Sequence, residues 1–199
     1  MAQRSTAIRT RRRGKELEHA LYDAALAELA AVGYAGLTME KIAARAHTGK
    51  AALYRRWSSK RDLVQAALQY ALPPISSPRP DRSARENLLA VFTAHCDVLA
   101  GNTPFPSLSI MAQLLHEPEL RAIFADAVVA PRLRIIETIL RTAERNGEIK
   151  SDALTPLTAR VGPALINQHL LLTGAPPNKH HLMRIVDTVI PQASRARTT

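Results

Sequence analysis

Residues 37–63 read L-T-M-E-K-I-A-A-R-A-H-T-G-K-A-A-L-Y-R-R-W-S-S-K-R-D-L and hold two short helical patterns joined by a tight turn. Thr38 is placed to cap a helix running to about Ala46, with Glu40 in the first turn, where the helix dipole favours an acid. A second short helix follows from about Gly49 to Trp57. Two helices linked this closely are the arrangement by which a second helix enters the major groove of DNA, about 12 Å wide. On these helices Ile42 and Leu53 are expected to face inward, and Ala43 and Ala46 are small where the two must approach. Lys50, Ala51, Ala52 and Arg55 are expected to point outward, flanked by Tyr54, Trp57 and Lys60.

The chemistry of those positions suggests their roles. The N-terminal end of the second helix, at Thr48 and Gly49, carries a partial positive charge suited to a polyanion. Lys50 and Arg55 are donors that match the paired acceptors of guanine, so they are expected at base edges. Tyr54, Lys60 and the Thr38 hydroxyl suit phosphates, where a donor is needed but no sequence is read. Ala51 and Ala52 allow close approach and suit a thymine methyl, while Trp57 is assigned mainly to packing.

Outward from this segment the charge is uneven. Of 199 residues, 27 are Lys or Arg and 17 Asp or Glu, giving +10 overall. Residues 1–60 hold 12 basic and 5 acidic residues, so most of the excess lies there. Residues 1–14 are expected to form a flexible basic arm whose Arg11, Arg12 and Arg13 lie along phosphates or enter the minor groove. A 46% apolar content with only 4% aromatics favours packed helices over sheets. The single cysteine, Cys96, allows no intramolecular disulfide, and neither a secretory signal nor a membrane-spanning stretch is visible. A cytoplasmic protein with no membrane partner is expected.

Periodicity sets the remaining elements. Leu17, Leu21, Ala25, Leu29 and Val32 define a first helix ending at Gly33, and Ser59 with Asp62 fits a capping box for a fourth through about Tyr70. All 13 prolines lie at or beyond Pro73, so residues 15–72 read as one domain and 73–82 as a linker. A second domain over 83–192 holds helices at Ser83 to Ala100, Phe105 to His116, Glu119 to Arg145, Thr155 to Thr173 with a kink at Gly162-Pro163, and Lys179 to Ile190. Residues 193–199 are read as a flexible tail.

The run Ala24-Ala25, Gly33-Tyr34, Thr38, Ile42-Ala43, Ala46, Leu53-Tyr54, Trp57, Lys60 and Leu63 resembles, over residues 21–64, the DNA-binding domain of TetR/AcrR bacterial transcriptional regulators. The part beyond the linker is more loosely similar to an actinobacterial type of ligand domain in that family. The resemblance implies an all-α homodimer of about nine helices per subunit that binds a near-palindromic operator and is released by a small molecule. It pairs the last two helices with their mates as a four-helix interface. His47 departs from the family's usual Gly at the turn, where positive φ is common, and Thr48 replaces an aliphatic and is a candidate cap of the second helix.

An effector, largely apolar, is expected among Phe92, His95, Cys96, Leu99, Met111, Leu114, Leu115, Phe124, Leu165, Gln168 and His169, with Cys96 read as a buried apolar group rather than a redox sensor. No G-x-S-x-G, phosphate-binding glycine loop or H-E-x-x-H occurs, so no enzyme, metal or cofactor is expected. A metal- or redox-responsive regulator and a basic DNA-coating protein remain the competing readings.

Overall fold

The computed structural model describes residues 14–74, 76–149 and 154–190. The expected tail, and the arm apart from Gly14, lie outside the described residues. The chain forms two compact units divided between Ala67 and Leu68. The divide falls inside a helix, and the proline-rich stretch after Leu72 belongs to the second unit.

In the first unit α1 (Gly14–Gly36), α2 (Met39–Arg45) and α3 (Lys50–Tyr54) precede α4 (Lys60–Ala71), which crosses the divide. Leu17, Leu21, Ala25 and Leu29 bury the inner face of α1. Gly33 does not end α1 as expected. Its φ of 71° and ψ of 172° kink the helix instead, leaving Val32 42% exposed and Tyr34 and Leu37 buried. Thr38 caps α2 by accepting from the Lys41 N–H at 3.2 Å. The turn then needs a left-handed residue, and His47 supplies it at φ 54°. Gly49, not Thr48, is the N-cap of α3, with no side-chain capping bond. α3 stops three residues short of Trp57, which is buried and meets Tyr22 edge-to-face at 5.5 Å. Ser59 accepts from the Asp62 N–H at 3.2 Å, and the Ser58 hydroxyl donates to the Asp62 carboxylate, fixing the start of α4.

α1 and α2 are also joined by an ion pair that periodicity did not announce. Arg45 Nε donates to Glu28 Oε2 at 2.8 Å, and Glu28 is almost fully buried. Removing the guanidinium strands a carboxylate with little water to take its place. Because Arg45 itself is 45% exposed, Arg45→Ala is expected to cost only about 1 kcal/mol in chemical denaturation, and adding Glu28→Gln should recover part of that loss.

The second unit is built from α5 (Ala84–Leu99), α6 (Ser107–Leu114), α7 (Pro118–Phe124), α8 (Ala130–Arg145), α9 (Thr158–Thr173) and α10 (Lys179–Val189). A π-helical turn, Ala125–Val129, joins α7 to α8 without leaving helical backbone. Counting that rod as one, the described residues hold nine helices and no strand, and the fold is all-α. The π turn sits just ahead of Pro131, whose ring would crowd the Ala127 carbonyl in a regular helix, so widening the turn relieves the clash. α5, α8, α9 and α10 enclose a core of Leu88, Phe92, Ile136, Leu140, Ile166 and Val186. Ser83 and Glu86 form a full capping box on α5. Gly101, Gly147 and Gly174 follow their helices with φ between 74° and 79°. Pro163 lies inside α9, as its sequence position requires.

Candidate nucleic-acid interface and ligand cavity

Ala46, Ala52 and Leu53 are buried where α2 meets α3. Ala52 is therefore not on the outward face: on a five-residue helix its direction lies only about 100° from that of Leu53, and both turn inward. Lys50, Ala51, Tyr54 and Arg55 do form an exposed edge, with Gly49 exposed and Thr48 half-buried at its beginning. Lys50 Nζ is held 2.9 Å from Glu40 Oε1, and this lysine keeps the Glu40 carboxyl below the usual range. The pair is exposed on both sides and worth little in water, so it exchanges readily for another acceptor. Thr38 accepts its capping bond and keeps a hydroxyl proton to donate.

Lys60 is drawn inward more than its sequence position suggested. Its ammonium donates to the Tyr34 carbonyl at 3.0 Å and lies 4.3 Å from the centre of the Tyr34 ring, which fastens the start of α4 to the end of α1. Arg11, Arg12 and Arg13 lie outside the described residues.

The second unit contains a cavity of about 510 Å³. Of the expected effector residues, Phe92, His95, Leu99, Met111, Leu114 and Phe124 line it. Five do not. Leu115 is 77% exposed, and Cys96, one position on from His95, turns away and packs against the core. Leu165, Gln168 and His169 lie on the opposite side of α9 from Pro163 and Asn167, the α9 residues that reach the cavity. They line a separate depression of about 300 Å³ with His181, Arg184 and Thr188 of α10, where the His169 and His181 rings stand edge-to-face at 4.6 Å. Helical spacing places residues 165, 168, 169 and 172 on one face but does not say which face meets the cavity.

Polar side chains interrupt the apolar wall at several places. His95 Nε2 lies 2.9 Å from Asn167 Oδ1, and burial, reinforced by the nearby Arg132 charge, lowers the imidazole pKa despite that bond. Arg132 donates from Nη1 to the Val128 carbonyl at 3.0 Å, and burial lowers its pKa. Asn87 accepts from the Arg79 N–H at 2.9 Å and donates to the Arg79, Arg82 and Ser83 carbonyls, tying the proline-rich stretch to α5. Outside the wall, burial, with Asp97 adding to it, pushes the Cys96 thiol up to about 11, which favours the neutral thiol at physiological pH.

Residues 21–67 match the family described as bacterial regulatory proteins, tetR family, and residues 79–189 match the tetracyclin repressor-like C-terminal domain. The chain belongs to the tetR family. It is a transcriptional regulator with a DNA-binding helix-turn-helix, α2 and α3, and tetR-family regulators bind DNA and act as dimers. It is 28% identical to an uncharacterized HTH-type transcriptional regulator of Mycobacterium bovis, over 82% of this chain and 81% of that one. It is likewise 28% identical to the DNA-binding transcriptional repressor TetR of Mycobacteroides abscessus, over 89% and 94% of the two chains. Among solved structures, the transcriptional regulator FadR from Bacillus subtilis, in complex with stearoyl-CoA, aligns with a TM-score of 0.60 at 21% identity, covering 86% of this chain and 97% of that one. Among the described residues no helix is long and apolar enough to cross a membrane.

Proposed function

We propose that this tetR-family regulator is a repressor that holds a near-palindromic operator as a homodimer and releases it when a largely apolar small molecule fills the cavity of the second unit. The observation that carries the reading is the exposed edge Lys50, Ala51, Tyr54 and Arg55 on a helix whose other residues are buried. Lys50 and Arg55 read base edges, Tyr54, Thr38 and Lys60 hold phosphates, and the α3 N-terminus at Thr48 and Gly49 faces the backbone. Arg11, Arg12 and Arg13 add sequence-independent attraction.

Dimerisation through α9 and α10 is supported by apolar surface left open on α9, where Leu171 and Leu172 are 73% and 77% exposed. A two-fold dimer places its recognition helices about 34 Å apart, or a small multiple of that, on one face of the duplex. Ligand in the cavity releases the operator by favouring a different spacing.

The test is selection of the preferred site from random duplexes, followed by titration of selected and random DNA at one salt concentration. A regulator is expected to prefer its site by ~10³-fold or more. Equal affinity for both would establish a DNA-coating protein instead. Zinc, nickel and copper are expected to leave operator affinity unchanged.

A further inference from the structure

Arg132 is set into a wall that is otherwise mostly carbon. One of its five N–H donors is used on the Val128 carbonyl, and among the described residues no carboxylate pairs with it. The other guanidinium groups at the wall are placed differently. Arg79 is bound at both ends to Asp81, with contacts of 3.1 and 2.7 Å, and Arg82 is exposed to water. A partly desolvated cation without a counter-charge is costly to keep, and an anion arriving with the ligand removes that cost.

We propose that the cavity binds an amphipathic carboxylate, its chain lying against Phe92, Leu99, Met111 and Leu133 and its head group held by the Arg132 guanidinium beside His95. The inference rests on the reading of this cavity as the ligand site and adds the chemical class of the ligand. The planar guanidinium fork matches a carboxylate bidentately, and in a water-poor wall such bonds are stronger than at the surface. His95 is already engaged with Asn167, and burial, with the Arg132 charge beside it, disfavours its charged form. With Arg79 paired to Asp81 and Arg82 turned to water, the unpaired guanidinium within the wall is that of Arg132, which suits a monoanion better than a dianionic phosphate ester.

Calorimetric titration of the full chain, without DNA, with sodium dodecanoate and with dodecan-1-ol below their aggregation limits separates the possibilities. The wild type is expected to bind dodecanoate about tenfold or more tightly than the alcohol, the usual scale for a hydrogen bond to a charged group. Arg132→Met, which keeps apolar bulk, should bring the two affinities together, and Arg132→Lys should retain a preference for the acid. Equal wild-type affinities for acid and alcohol would overturn the proposal while leaving the cavity a ligand site. Binding of neither probe would overturn the cavity reading with it. A preference for acid that survives in Arg132→Met would show that the arginine only supports the Val128 carbonyl. Thermal unfolding followed on each variant separates loss of fold from loss of the head-group contact.

Discussion

Replacing Gly162 by alanine is expected to destabilise the protein by roughly 2 kcal/mol, lowering the midpoint of thermal unfolding by about 4–8 °C. In the middle of a helix this exchange normally stabilises by up to about 1 kcal/mol, so the sign is the informative part. The reason is the Phe92 ring, which lies directly against the α9 backbone: a Cβ on residue 162 would stand 2.1 Å from Cζ and 2.4 Å from Cε2. Those separations are far below carbon–carbon contact, and Phe92 is fully buried in the core. The open direction for the ring is the cavity that it lines. The same substitution should therefore weaken ligand binding, with the displaced ring taking up part of the 510 Å³. Combining it with Phe92→Leu removes the clash, and the pair should be less damaging than the sum of the single changes. A stabilised Gly162→Ala protein would show that the ring does not rest on this helix.

Arg55→Ala and Lys50→Ala are each expected to erase most of the preference at one base position of the operator, about 1–3 kcal/mol against the best base, with smaller effects elsewhere in the site. Lys60→Ala should behave differently in two measurements. Affinity for all sequences should fall by a similar factor, with the salt dependence shallower by about one phosphate contact. Stability should fall as well, because the ammonium joins the Tyr34 carbonyl and ring to α4. Base-by-base titration of a substituted operator distinguishes the two patterns. A uniform loss in all three variants would mean that α3 does not read the bases.

Features set by short-range chemistry were legible in the sequence. The Thr38 cap, the Ser59–Asp62 pairing, the helix starting after Ser83 and the left-handed glycines after α5, α8 and α9 each depend on a few consecutive residues. The helical pair at Ile42 and Leu53 was legible because both its spacing and its inward faces recur locally. Faces without a local marker were not. Nothing in the order Lys-Ala-Ala-Leu-Tyr says that Ala51 is exposed and Ala52 buried; the neighbour packed against α3 decides it. The same holds for α9, where Asn167 meets the cavity and Gln168 the opposite side. Gly33 signals positive φ, yet ψ near 172° makes it a kink rather than a stop, and residue type carries no information on that angle. The Glu28–Arg45 pair and the Lys50–Glu40 pair join residues from different helices and left no periodic trace.

The π turn at Ala125–Val129 acts as a phase shifter. One residue more than an α-helical turn requires advances the angular position of everything downstream by about 100°, while adding only about 1.5 Å of rise. The arc that α8 presents inward, with Arg132, Leu133 and Ile136 at the cavity, is thus selected by an upstream insertion rather than by those residues themselves. Pro131 locks that choice, since restoring regular turns would return its ring to the Ala127 carbonyl. Position along the chain and direction around the axis are consequently set by different parts of the same rod.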